Sequence, residues 1–119
     1  MKKTLVLGAS LNPDRYSYKV IKKLRKNGFE VVALGLKAGE VEGVIIDTER
    51  KQYSNIHTIT LYLGEQNQTD YYDYIISLNP QRVIFNPGTY NEELIEILQK
   101  NNIPFVTECT LIMLSYGDF

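Results

Sequence analysis

The sequence has little of what marks several common classes of protein. Its 119 residues include one cysteine, Cys109, so no internal disulfide can form, and such sparing use of cysteine is typical of a reducing cytoplasm. No apolar run approaches the roughly 20 residues of a membrane-spanning helix. The apolar run after the basic N-terminus is also too short for a signal peptide. We therefore expect a cytoplasmic protein with no membrane partner.

Neither sign of charge is in excess, and metal-binding residues are sparse. The formal net charge is -1, which gives no general electrostatic attraction to nucleic acid or to an anionic membrane. The sequence has no cluster of cysteine and histidine and no H-E-x-x-H pair on a helix, so we expect no metal site. His57 lies far in the sequence from any aspartate or cysteine that would build a triad with it. We expect no catalytic role for this histidine.

What is present begins with a strand, a tight loop and a helix. The apolar run at residues 4–7 ends at Gly8, and apolar side chains recur with helical spacing over about 16–27. Because glycine has no Cβ, Gly8 permits a sharp turn and close approach of a ligand to the backbone. The N-terminus of the following helix favours an anion such as a pyrophosphate. This arrangement opens nucleotide-binding α/β folds.

The first loop is not a complete dinucleotide fingerprint. That motif needs G-x-G-x-x-G, whereas residues 8–13 carry one of the three glycines, and no Gly-Lys-Ser or Gly-Lys-Thr of a P-loop occurs. No acidic residue follows the second strand to hold a ribose diol, and Lys37 stands there instead. The residues alone therefore favour a nucleotide with an additional phosphate over plain NAD, which leaves NADP as one candidate cofactor.

The rest of the chain alternates between strands and helices. The predicted strands lie at 4–7, 29–34, 57–63, 82–85 and 103–106, with a further short edge strand left open at 44–46. The predicted helices lie at about 16–27, at 66–79, from a cap at Thr89 or Asn91 to 101–102, and at 109–114. This order predicts one domain over 1–119, of the α/β class, with a mostly parallel five-stranded sheet covered on both faces. Pro104 places the last strand at the sheet edge.

The candidate site lies in the loops at the carboxyl ends of these strands. Ligands bind there in parallel sheets, so we expect the five loops to line one cleft. The Arg15 guanidinium and the hydroxyls of Ser10 and Ser17 suit phosphate oxygens. Cys109, near the start of a helix whose dipole favours a thiolate, is the one candidate for covalent chemistry. The predicted ligand-binding residues are Gly8, Ala9, Ser10, Arg15, Tyr16, Ser17, Lys37, Asn86, Pro87 and Gly88.

Several segments together resemble one known family. They are residues 6–10 followed by Tyr16 and Ser17, 28–31 leading to Lys37, 82–89, and 108–114. On these segments the chain resembles the small single-domain CoA-binding proteins, which are similar to the CoA-binding domain of succinyl-CoA synthetase. The resemblance covers nearly the whole chain and implies a Rossmann-like three-layer fold with the CoA pyrophosphate on the first glycine loop.

The resemblance also carries individual positions and one departure. Gly8, Ala9, Ser10 and Lys37 match positions expected near CoA, and Asn86 and Gly88 fall on the family's second cleft loop. The family often has Asn-Pro-Lys after the second strand, where this chain has Gly35-Leu36-Lys37. The lysine is kept, whereas the rigid turn before it is not.

Three functional hypotheses follow. The first is binding of CoA or an acyl-CoA without catalysis, which the lack of paired acid and base residues favours. The second is an enzyme in which Cys109 exchanges an acyl group or a disulfide with the bound thiol. The third is an NADP-binding protein, but the chain has no second domain to hold a substrate. In each case the partner is a small nucleotide cofactor rather than nucleic acid.

Overall fold

The structure is a computed structural model that describes residues 2–119, and its centre is a seven-stranded sheet. The strands follow the spatial order β3-β4-β2-β1-β5-β6-β7, and every neighbouring pair is parallel except β3 with β4. Their bounds are β1 Thr4–Ala9, β2 Val31–Gly35, β3 Gly39–Val41, β4 Val44–Asp47, β5 Thr58–Leu61, β6 Arg82–Phe85 and β7 Phe105–Val106. The prediction of a mostly parallel sheet is confirmed.

Within residues 2–119 the sheet has seven strands, so the prediction of five is wrong. The two additional strands are β3 and β4, which form an antiparallel hairpin on the outer side of β2. Glu42 and Gly43 connect them, and both have positive φ values, 49° and 79°, as the mirror-image hairpin turns require. The three residues of β3 are too few to show an alternating pattern, and they begin with a glycine, which is uncommon in strands.

The helices cover the sheet on both faces. Helices α1 (Tyr16–Lys26) and α4 (Thr110–Tyr116) pack on one face, while α2 (Tyr72–Leu78) and α3 (Glu92–Lys100) pack on the other. The helix predicted over 66–79 is shorter than expected, because two 3-10 turns at Glu65–Asn67 and Thr69–Tyr71 precede α2. None of the helices within residues 2–119 combines the length and apolar character needed to cross a bilayer.

The starts of two helices differ from one another. At α1 the N-cap is Arg15, whose side chain makes no capping hydrogen bond. At α3 the cap is Asn91, whose side-chain oxygen accepts hydrogen bonds from the N–H groups of Glu93 and Leu94. The start of α3 is thus saturated by its own chain, whereas the start of α1 is not.

Strand β1 separates the two halves of the core. Leu5 and Leu7 point into the cluster beneath α2 and α3, whereas Val6 points into the cluster beneath α1 and α4. All three are at most 1% exposed, as expected for a strand buried on both faces.

The strand order determines where loops diverge. From β1 the chain continues to β2 on one side, and it later returns to β5 on the other side. The point between β1 and β5 is therefore the topological switch point of the sheet, where a crevice opens in folds of this class. The carboxyl ends of β2, β1, β5 and β6 stand side by side across roughly 14 Å, at about 4.8 Å per strand. Strand β7 lies at the edge, as Pro104 predicted.

We expect Gly35→Ala to destabilise the fold by about 2–3 kcal/mol, because a Cβ at this position would lie 2.3 Å from the carbonyl oxygen of Ala9. Gly43→Ala is the matched control. Gly43 has a positive φ but no atom within 4 Å of the Cβ position, so only backbone strain of about 1 kcal/mol is expected. Urea unfolding of the two variants measures the difference. Equal losses in the free energy of unfolding would contradict the clash.

Candidate functional site

A cavity of about 720 Å³ lies at the carboxyl ends of β2, β1, β5 and β6. Four strand-end loops and the start of α1 surround it. Its lining residues are Gly8, Ala9, Ser10, Leu11, Asn12, Asp14, Arg15, Tyr16, Ser17, Leu34, Gly35, Leu36, Lys37, Tyr62, Leu63, Gly64, Tyr71, Pro87, Gly88 and Thr89. Nine of the ten predicted ligand-binding residues line this cavity, and Asn86 does not.

Hydrogen bonds between residues of the loop itself order the loop between β1 and α1. The Ser10 hydroxyl oxygen accepts a hydrogen bond from the Asn12 N–H at 3.0 Å, and the Asn12 side-chain oxygen accepts one from the Asp14 N–H at 3.0 Å. The Asn12 carbonyl then accepts the Arg15 N–H at 3.0 Å. These bonds order the loop without using the proton of the Ser10 hydroxyl, which can still be donated.

The start of α1 is suited to an anion. Its first turn contains no acidic residue and no side chain caps it, so the first N–H groups of the helix have no capping partner. Ser17, in this turn, is 4% exposed and lines the cavity, and the exposed Arg15 lines it as well. Positive dipole, hydroxyl and guanidinium thus meet at one wall. Tyr16 lines the cavity, and Tyr18 instead packs on the apolar core.

The glycines around the cavity have different roles. A Cβ on Gly8, whose φ is +98°, would lie 2.9 Å from the backbone carbon of Tyr62. Gly8 therefore allows β1 to pass closely by the end of β5, and Gly35 similarly accommodates the Ala9 carbonyl. Gly88 differs, because no protein atom lies within 4 Å of its Cβ position. Open space at Gly88 leaves its backbone accessible to a ligand.

One end of the cavity carries an exposed basic and apolar rim. Lys37 lies there after β2, beside Leu36, which is 90% exposed, and Tyr16, which is 66% exposed. The lining contains two basic residues, Arg15 and Lys37, and one acidic residue, Asp14. Cations therefore exceed anions by one at the lining, in a protein whose net charge is -1.

The other end is made by the loops after β5 and β6 and is uncharged. Leu63, Pro87 and Tyr71 line it, together with Tyr62. Burial raises the pKa of Tyr62 above its usual value, so its phenol stays protonated. The Arg50 guanidinium lies 4.1 Å from the centre of the Tyr71 ring.

Asn86 is buried beneath the cavity and bonds to its own protein. Its amide nitrogen donates to the Thr60 hydroxyl at 2.7 Å and to the Leu61 carbonyl at 2.8 Å, and its oxygen accepts the Thr110 N–H at 2.9 Å. With 3% of its surface exposed, Asn86 fastens β6 to β5 and to the start of α4. Asn86, which we predicted to bind the ligand, therefore supports the loops of the site instead.

The loop after β7 does not join the other four, so the prediction that all five line one cleft is wrong. Strand β7 lies three strands from β1, at the edge of the sheet. Cys109 follows β7, is partly buried and is not part of the lining. His57 lies before β5, at the opposite end of the sheet. Burial, then the charges of Arg82 and Lys2, lower its pKa.

The sequence interpretation missed Gln68 and Tyr71. Both fall in the segment 66–79, which the sequence predicts as one regular helix. Gln68 is fully buried, which is uncommon for a glutamine and requires hydrogen-bond partners within the protein. Gln68 lies between two 3-10 turns, so a 3.6-residue pattern of apolar residues does not reveal that it is buried. Gly64 is the only local signal of a loop.

The described part of the chain contains no cluster of side chains suited to a metal ion. Within residues 2–119 no group of three or more histidine, cysteine, aspartate or glutamate side chains is placed to hold an ion.

Solved structures with this fold were found at several levels of similarity. A crystal structure of an uncharacterized protein is 52% identical, with a TM-score of 0.97 over 100% of this chain and 98% of the other. The cell-free ID.343 structure from Thermus thermophilus is 21% identical, with a TM-score of 0.87 over 99% and 90%. A hypothetical protein from Pyrococcus horikoshii OT3 is 24% identical, with a TM-score of 0.86 over 97% and 82%. The last two similarities concern the fold alone.

No protein of curated function matches the chain. The family model described as a CoA binding domain does match, over residues 2–115, and so includes every residue of the cavity. The match agrees with a site whose donors are hydroxyls, backbone N–H groups and cations, which are the groups that bind phosphate. The chain therefore belongs to the CoA-binding domain family.

Proposed function

We propose that this protein binds coenzyme A or an acyl-CoA in the cavity, with the diphosphate at the start of α1, and that it does so without catalysis. The observation that carries the proposal is the meeting of an uncapped helix start with Arg15 and Lys37 in one cavity at the switch point of the sheet. Family membership favours CoA over NADP as the nucleotide.

The residues fit the phosphate groups of CoA. The N–H groups at the start of α1 and the hydroxyls of Ser10 and Ser17 supply donors for a diphosphate. Arg15 adds a guanidinium that can bond two phosphate oxygens at once. Lys37 stands at the far end of the same wall, after β2, where it would meet the additional phosphate on the ribose.

The remaining part of CoA extends along the uncharged end of the cavity. Leu63, Pro87 and the open backbone of Gly88 form that end, which suits a pantetheine arm made of amide and methylene groups. In this proposal the thiol or acyl group of the CoA ligand does not react, because the lining offers no paired acid and base. Cys109 is outside the lining, so we favour binding over acyl or disulfide exchange.

Isothermal titration of the purified protein tests the choice of ligand. We expect CoA and acetyl-CoA to bind more tightly than NADP or NAD, because only CoA has both the ribose phosphate and the long neutral arm that the two ends of the cavity fit. Cys109→Ser is expected to bind CoA as the unmodified protein does. Tighter binding of NADP than of CoA would overturn the proposal.

Lys37→Ala tests the position of the ribose phosphate. We expect the variant to bind CoA about fivefold more weakly, in keeping with the loss of one exposed ion pair. Its affinity for dephospho-CoA should be nearly unchanged. Lys22→Ala is the matched control, since Lys22 is an exposed lysine of α1 outside this cavity. An equal loss for CoA and dephospho-CoA would remove the assigned role of Lys37.

A further inference from the structure

A buried side chain joins the two loops at the uncharged end of the cavity. The amide nitrogen of Gln68 donates to the Leu63 carbonyl at 2.8 Å and to the Thr89 carbonyl at 2.8 Å. Leu63 belongs to the loop after β5, and Thr89 belongs to the loop after β6. Both residues line the cavity, whereas Gln68 is 0% exposed and lies behind them.

Gln68 is itself held in one orientation. Its side-chain oxygen accepts a hydrogen bond from the amide nitrogen of Asn91 at 3.0 Å. That nitrogen also donates to the Tyr72 hydroxyl at 2.8 Å, while the Asn91 oxygen caps α3. Every donor and acceptor pairing of the Gln68 amide is therefore directed by the protein, and a flipped amide would face two carbonyls with an oxygen.

We infer that Gln68 is a positioning residue, which fixes the spacing of the loops after β5 and β6 and thereby the width of the cavity where the pantetheine arm lies. The inference rests on the proposed function for the identity of the ligand. The joining of the two loops by Gln68 does not depend on the proposed function, since the two hydrogen bonds are present whatever the cavity holds. Gln68 does not reach the start of α1 or Lys37, so the phosphate end should be independent of it.

The test compares Gln68→Met with Gln81→Met in binding CoA and adenosine 3′,5′-bisphosphate. Methionine matches the length of glutamine but cannot donate, so two buried carbonyls lose their partner. We expect Gln68→Met to bind CoA about tenfold more weakly and to bind the bisphosphate within about twofold of the unmodified protein. Gln81 is exposed and lies just before β6, at the opposite end of the sheet, so Gln81→Met should change neither affinity.

Asn91→Ser provides a second variant in case Gln68→Met does not fold. Serine retains an oxygen that can cap α3, but its side chain is one atom shorter, so its hydroxyl does not take the place of the amide nitrogen that donates to Gln68. It should show the same pattern with a smaller loss, about threefold for CoA. Equal weakening of CoA and the bisphosphate, or no weakening of CoA, would overturn the positioning role.

Hydrogen exchange of the unliganded proteins separates this inference from the proposed function. In Gln68→Met the amides of residues 62–64, 88 and 89 should exchange faster than in the unmodified protein, with those of residues 8–12 and 14–17 unchanged. If the unmodified protein fails to bind CoA, the proposed function fails, and the exchange of these two loops still decides whether Gln68 joins them. Unchanged exchange in both loops would overturn the inference.

Discussion

The pairing of β1 with β2 on one side and with β5 on the other is the interaction on which the site depends. The loops that leave these strands run in opposite directions, and no connection fills the space between them. Gly8 allows β1 to approach the end of β5 closely, since a Cβ at this position would meet the backbone of Tyr62. The cavity is therefore a consequence of strand order and of one glycine contact, before any ligand is considered.

Buried amide side chains then set the positions of the loops around the cavity. Asn86 bonds β6 to β5 and to the start of α4, and Gln68 bonds the loops after β5 and β6. Each side-chain amide carries two N–H donors and an acceptor oxygen, so it can bond several segments at once. The start of α1 contrasts with these saturated regions, because no side chain caps it. The protein satisfies its polar groups beneath the cavity and leaves donors at the wall.

The sequence predicted the parts of this structure that local patterns encode. The strand, glycine and helix at residues 4–27 were found because apolar runs and glycine act over a few residues. Strand β3 was missed because three residues carry no usable period. Four loops meet at the cavity and the loop with Cys109 does not, since that outcome depends on strand order, which local patterns do not contain. The buried role of Gln68 depends on contacts 21 and 23 residues away in the chain.

Both outer strands of the sheet are short, and this limits how copies of the protein can associate. Strand β3 has three residues and β7 has two, with Pro104 directly before β7. Both outer strands therefore present few free N–H and C=O groups with which the backbone of a second chain could pair. Intermolecular strand addition, the common route from an open sheet to fibrils, is thereby disfavoured at both margins, although the sheet is not closed into a barrel.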